Sequence, residues 1–266
     1  MVDTLMASLP NAPETVKLDT VPPDPLNSDV DWDTFDPEAY RNHNYLTLRD
    51  DDHQIMVKIR DFFAAAEVTN ARGVDVGAGA NLYPSLAMLP FCRTLDLREF
   101  SAPNVAWLAR QIERFDDKWD AFWSVYQDNP AYALMGDPRV RLAQIASVRQ
   151  FDLFKLPERR WELGTMFFVA CSLSSDIQEF HRATHRFVRS LKPGSPFAAA
   201  FMEGSDGYPV GDATFPAVGI RAQDVAESLA SVAYDDVVIT RITSGDDPLR
   251  DGYSGGMILA MGRAAG

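Results

Sequence analysis

The stretch of this sequence best suited to chemistry is Val74-Asp75-Val76-Gly77-Ala78-Gly79. Glycine has no Cβ, so a Gly-x-Gly turn can bend sharply and let a ligand reach main-chain N–H groups. A dinucleotide-binding turn would carry a third glycine, but the position three after Gly79 is Leu82. The turn is therefore short and poorly suited to a pyrophosphate. No Walker-type lysine follows it, which argues against ATP. Nineteen residues after Gly77 comes Asp96, followed by Leu97. A carboxylate at the end of the next strand can accept both hydroxyls of a ribose. Asp152, with the Leu153 amide beside it, could accept from an adenine amino group. Taken singly, these residues also fit a bare strand-to-helix turn, a helix-start Asp and a turn Asp. Together they place three polar groups at the carboxyl ends of strands, where open α/β sheets bind ligands. The reading requires the turn after Val76 and the Asp96 carboxylate to grip one adenosyl group.

The pattern around these residues alternates strand and helix. Helical spacing of Ile55, Ile59, Phe62, Phe63 and Ala66 predicts a helix ahead of the glycine turn, with Asp residues in its first turn. Strands are predicted over 72–77, 92–97, 148–151, 163–170, 197–202, 237–242 and 256–261. The continuous apolar runs at 163–170 and 197–202 suit strands covered on both faces. Helices are predicted from Asn81 through Leu89 and over 103–114, 118–127, 138–146, 176–191 and 222–232. Such alternation implies crossover units and a mostly parallel sheet, with the last two strands closing it as an antiparallel hairpin. The expected fold is a doubly wound α/β sheet of seven strands. Residues 1–54 read as an N-terminal arm and helical lid, and 55–266 as the ligand-binding domain. The first 30 residues hold five prolines, and WDTFDPEAYRNHNYL is aromatic without a strand pattern.

Composition narrows the function. Hydrophobic residues make up 46% of 266, enough for a sizeable core. A net charge of −13 argues against nucleic acid, which needs a basic footprint. No apolar run approaches membrane-spanning length, and the N-terminus has no signal-peptide pattern, so a cytoplasmic location is expected. Cys92 and Cys171 sit in apolar stretches and read as reduced core thiols. With four histidines and two cysteines, no metal-ligand spacing emerges.

FDPEAYRNHNY followed by GVDVGAGANLYPSL resembles the nicotinamide, phenylethanolamine and indolethylamine N-methyltransferase family; LKPG, Leu191 to Gly194, adds a turn shared with many class I methyltransferases. The resemblance implies S-adenosylmethionine as cofactor, with S-adenosylhomocysteine as product. It implies that Tyr40 and Tyr45 close over the methionine end, that Gly77, Ala78 and Gly79 lie beneath it, and that Tyr83 contacts its carboxylate. Asp96, with Leu97, would bind ribose, and Asn104 would help position the cofactor across a segment that reads about two residues longer than usual. Asp152 and Leu153 would face adenine. Phe167 stands where the family often has a small polar residue near the sulfonium.

The resemblance also puts an acidic residue at Glu203, where it would bind an amine and act catalytically by accepting its proton. Tyr208 would line the same pocket, with Phe35, Tyr253 and Trp32 as further aromatic walls. The implied partner is a small-molecule acceptor, most directly an amine. An oxygen, sulfur or carbon acceptor is the main alternative, with His43 and His53 flanking the lid. A catalytically silent binding domain is the second.

Overall fold

The computed structural model describes residues 26–243 and 255–266. Most of the N-terminal arm, and Tyr253, lie outside the described residues. A 3-10 turn at Asn27–Asp29 and another at Trp32–Thr34 lead into helix α1 (Pro37–Tyr45). Asp36 caps α1 by accepting from the amides of Glu38 and Ala39, with Pro37 preset at the first helical position. Helix α2 (Asp50–Ala65) follows, acidic at its start and burying Ile55, Met56, Ile59 and Phe63 along one stripe.

Strand β1 (Ala71–Val76) enters the core, and the chain turns into the short helix α3 (Tyr83–Met88). Strand β2 (Cys92–Glu99) is followed by α4 (Ala102–Glu113), α5 (Asp120–Gln127), the single turn α6 (Pro130–Ala133) and α7 (Pro138–Ile145). Strand β3 (Ala146–Gln150) and strand β4 (Leu163–Phe167) precede α8 (Ile177–Ser190). Strand β5 (Pro196–Met202) is buried along its whole length, as its apolar run requires. Then come β6 (Gly207–Val210), β7 (Ala213–Pro216), α9 (Ala222–Leu229), β8 (Val238–Ile242) and β9 (Met257–Arg263).

The main sheet has seven strands in the order β3-β2-β1-β4-β5-β9-β8. β1 through β5 pair in parallel, while β9 lies antiparallel between β5 and β8. The doubly wound, mostly parallel seven-stranded sheet with its terminal antiparallel hairpin is therefore the observed fold. Strand order reverses between β1 and β4, and at such a switch point the two crossovers diverge and leave a crevice at the carboxyl edge.

The fold departs from the sequence pattern in two places that bear on the crevice. β2 runs to Glu99 rather than ending near Leu97, because both neighbours continue alongside it: Arg98 pairs with Val76 of β1, and Glu99 with Gln150 of β3. The hairpin β6–β7 is not among the predicted strands. Its strands are four residues long, too short for periodicity, although its Gly211-Asp212 turn is a hairpin signal. It forms a small core of its own, where Val210 and Phe215 bury against Phe35 of the N-terminal segment.

Helix α8 closes on the sheet over Gly164, where an added Cβ would stand 2.8 Å from Leu191 Cδ2 and 3.1 Å from Phe187 Cε2. Gly164→Ala should therefore lower unfolding free energy by about 1–3 kcal/mol through overpacking. Chemical denaturation checks this, and a loss near zero would mean that α8 yields freely.

Candidate functional site

β1 delivers the glycine turn to the carboxyl edge of the sheet. Gly77 and Gly79 adopt φ of +64° and +52°, the left-handed region that glycine enters without steric cost. A Cβ on Gly77 would lie 2.4 Å from Val169 Cγ2, so space as well as conformation requires glycine there. The Gly77 amide donates to the Arg98 carbonyl at 2.6 Å, and the Gly79 amide donates to Glu99 Oε2 at 2.8 Å. The other oxygen of Glu99 accepts from the amides of Phe100 at 2.8 Å and Ser101 at 2.9 Å. Glu99 is 7% exposed, and burial raises its carboxyl above the ordinary range while these amides and Asn104 pull it back.

These groups border a cavity of about 890 Å³, counting its open mouth. Of the residues expected at a cofactor, Tyr40, Tyr45, Gly77, Ala78, Gly79, Asn104, Asp152, Leu153 and Phe167 all line it, and of the acceptor-side candidates Trp32, Phe35 and Tyr208 do. Asp152 accepts from the Phe154 amide at 2.9 Å and pairs with Lys155 at 3.1 Å. Tyr208 donates its hydroxyl to the Ser172 carbonyl at 3.3 Å. A smaller chamber adjoins the cavity. It shares Tyr40, Phe168, Ser172 and Tyr208 with it and adds His43, Asn44, Met202 and Pro209.

Four expected residues lie elsewhere. Asp96 sits three residues short of the strand end, where its carboxylate accepts from Trp161 Nε1 at 2.7 Å and Ser147 Oγ at 3.3 Å. Glu99 takes the position at the turn that Asp96 was expected to hold. With Glu99 as the strand-end acid, Asn104 follows five residues on in the first turn of α4. Leu97 is fully buried in the core. The Tyr83 ring is also buried, packed against Tyr45, Phe122 and Phe167. Glu203 is outside both chambers; it pairs with Arg241 of β8 and accepts from the Gly256 amide at 3.4 Å. The carboxylate expected at the acceptor is thus committed to the edge strand β8, two places from β5 in the sheet. Its position after β5 misled because the pairing with Arg241 reaches across β9, which the sequence does not display.

One further contributor carries no motif in the sequence. Phe168 lines the cavity with φ +59°, a strained backbone for a bulky residue and one that concentrates at functional sites. Asn81 and Asn104 line it too, and Asn81 Nδ2 and Asn104 Oδ1 are buried without a hydrogen-bond partner among the described residues. One donor and one acceptor left unsatisfied in the same wall cost free energy unless a ligand engages them. Glycine-lined backbone, a strand-end carboxylate and these two amides suit an adenosyl group carrying an amino-acid tail. Among the described residues no cluster of His, Cys, Asp and Glu could hold a metal ion, and no helix is long and apolar enough to cross a membrane.

Comparison with known proteins agrees with this fold. The model of the NNMT/PNMT/TEMT family matches residues 26–248. The chain is 24% identical over 233 residues to phenylethanolamine N-methyltransferase of Mus musculus, covering 77% of this chain and 76% of that one. The N-methyltransferase NodS from Bradyrhizobium japonicum, solved with S-adenosyl-l-homocysteine, is similar in fold at a TM-score of 0.53 and 11% identity, covering 82% of this chain and 90% of that one. The [4+2]-cyclase SpnF is similar at a TM-score of 0.51 and 16% identity, covering 79% and 81%. A cyclase among these relatives in shape is a reminder that fold does not dictate reaction.

Asp75, beneath the glycine turn, accepts from Ser85 Oγ at 2.6 Å and Thr165 Oγ1 at 2.8 Å. Burial pushes its carboxyl up to about 7 despite both hydroxyls. The folded protein therefore holds this proton where the unfolded chain, at 3.8, has released it. The associated stability is complete below the unfolded value and is lost as pH rises through about 7. Asp75→Asn, neutral throughout, should flatten the fall in melting temperature between about pH 4 and 7. An unchanged slope in differential scanning fluorimetry would place the titration elsewhere.

Proposed function

Because the chain belongs to the NNMT/PNMT/TEMT family, we propose that it is an S-adenosylmethionine-dependent methyltransferase that methylates the nitrogen of a small amine. The observation that carries the cofactor assignment is the joining of the glycine turn to the strand-end acid by the Gly79–Glu99 hydrogen bond, at one cavity whose wall also presents Asn81 and Asn104. The homology to an amine N-methyltransferase supports nitrogen as the acceptor.

Bound there, the cofactor supplies an electrophilic methyl group on a sulfonium. Glu99 would accept the ribose hydroxyls, Asp152 and the Leu153 amide would meet adenine, and Asn81 Nδ2 would donate to, and Asn104 Oδ1 accept from, the ligand. The remaining task is positioning and exclusion of water, which can contribute roughly 7–11 kcal/mol when alignment is good. Tyr40, Phe168, Ser172 and Tyr208 line both chambers and so mark the junction between them. The acceptor would occupy the smaller chamber, with its nitrogen facing the larger one between Tyr40 and Phe168. Tyr208 and Ser172 offer polar groups there, and His43 at its rim can take the proton that a protonated amine must lose before its lone pair attacks. The segment from Trp32 to Tyr45 covers both ligands as a lid that must open for exchange.

Titration calorimetry with S-adenosylhomocysteine tests the assignment. Glu99→Ala should weaken binding about 10-fold or more, the scale of losing hydrogen bonds to a charged group. Unchanged affinity would remove Glu99 and the adenosyl assignment with it. A radiolabelled methyl-transfer screen against small amines, phenols and thiols tests the acceptor; label on a phenol or thiol alone would replace nitrogen with oxygen or sulfur.

A further inference from the structure

Asp96 does not reach the cavity, yet it is tied to a residue that does. Arg98 is two positions further along β2 and so projects from the same face of the strand. Its guanidinium pairs with Asp96 Oδ2 at 3.4 Å. It lies 5.3 Å from the centroid of the Phe151 ring and 5.7 Å from that of Trp161, between two aromatic faces. Trp161 is itself held by its Nε1 bond to the same carboxylate. Arg98 and Phe151 both line the large cavity, whereas Asp96 and Trp161 do not. Phe151 immediately precedes Asp152 and Leu153, the adenine side of the proposed cofactor site.

A guanidinium that is 13% exposed on a largely aromatic wall is costly to bury unless paired. Asp96 supplies the countercharge and, through Trp161, the second aromatic face, so one carboxylate sets both the charge balance and the orientation of the stack. Planar guanidinium groups stack on aromatic faces in a way that lysine cannot reproduce.

We propose that Asp96 and Arg98 act as a pair that fixes the adenine wall of the cavity: Arg98 forms part of that wall and steadies Phe151, and Asp96 is the positioning residue that holds Arg98 in place. This rests on the adenosyl assignment. It explains an acidic residue that lies too early in its strand to touch ribose.

Calorimetry with S-adenosylhomocysteine and with adenosine alone separates this role from a general structural one. Arg98→Met and Asp96→Asn should each weaken both ligands by about 3- to 10-fold, the range of a partly desolvated cation–π contact. Because the loss lies at the adenine end, it should be the same for adenosine as for the whole ligand. Asp96→Asn keeps an acceptor for Trp161 but loses the charge, and it should add nothing in an Arg98→Met background, since Asp96 acts through Arg98. Arg98→Lys should fall between wild type and Arg98→Met. In methyl transfer, KM for the cofactor should rise while kcat and the acceptor KM stay at wild-type values, a split that a loosened fold would not produce.

Affinities within about twofold of wild type for both single variants would overturn the proposal. So would an equal rise in the acceptor KM. If Glu99→Ala weakens S-adenosylhomocysteine and these variants do not, the pair is refuted and the adenosyl assignment stands. If Glu99→Ala also has no effect, the assignment itself fails. Should Arg98→Met not fold, Asp96→Asn and Arg98→Lys still make the comparison.

Discussion

The hydrogen bond from the Gly79 amide to Glu99 is the contact on which the site depends. It joins a turn that leaves β1 to the last residue of β2, and it forms only if the two strands end level with each other. The parallel register from Arg72 with Thr94 through Val76 with Arg98 secures that alignment. The Gly77 amide reinforces it by reaching the Arg98 carbonyl. With the turn held this way, main-chain groups and a carboxylate face one cavity; a slip of one residue would turn every side chain of β2 to the opposite face of the sheet.

The rest of the molecule is arranged around that edge. The strand order reverses between β1 and β4, so the turn after β1 and the strained Phe168 after β4 flank the opening. The polar floor comes from strand ends, and the roof comes from parts of the chain far apart in sequence. Trp32 stacks on Phe215 at 5.3 Å, and Phe215 stacks on Tyr208 at 5.7 Å, so the N-terminal segment and the hairpin share one aromatic stack. Polar contacts tie this roof to the body: the Asn27 amide donates to Glu179 at 2.7 Å, the Ala102 amide to Asp33 at 3.0 Å, and Trp107 Nε1 to Glu38 at 3.0 Å.

Charge is handled differently at the two ends of the cavity. Where the glycine turn meets β2, Glu99 accepts from three amides and Arg98 pairs with Asp96 between two rings. The smaller chamber is lined by Tyr40, Phe168 and Tyr208 together with His43, Asn44, Ser172, Met202 and Pro209, while Glu203 pairs with Arg241.

Much of this was legible in the sequence, because the signals were local. Alternating apolar runs and amphipathic helices specified the α/β sheet, the Gly-Ala-Gly turn marked the cavity, and Asp152 was readable from its place after a strand, since each signal depends on residues within a few positions of itself; Tyr40 and Tyr45, which also line the cavity, came from the family resemblance. Tertiary structure decided which carboxylate serves the turn. Asp96 and Glu99 lie in the same strand and are equally acidic on paper; only pairing with β1 and β3 shows that the strand continues through Arg98 and brings Glu99, not Asp96, to its end. It also decided that Glu203 is occupied by Arg241 and that the hairpin β6–β7 completes the roof over the N-terminal segment, because those contacts join segments whose separation along the chain no periodicity can bridge.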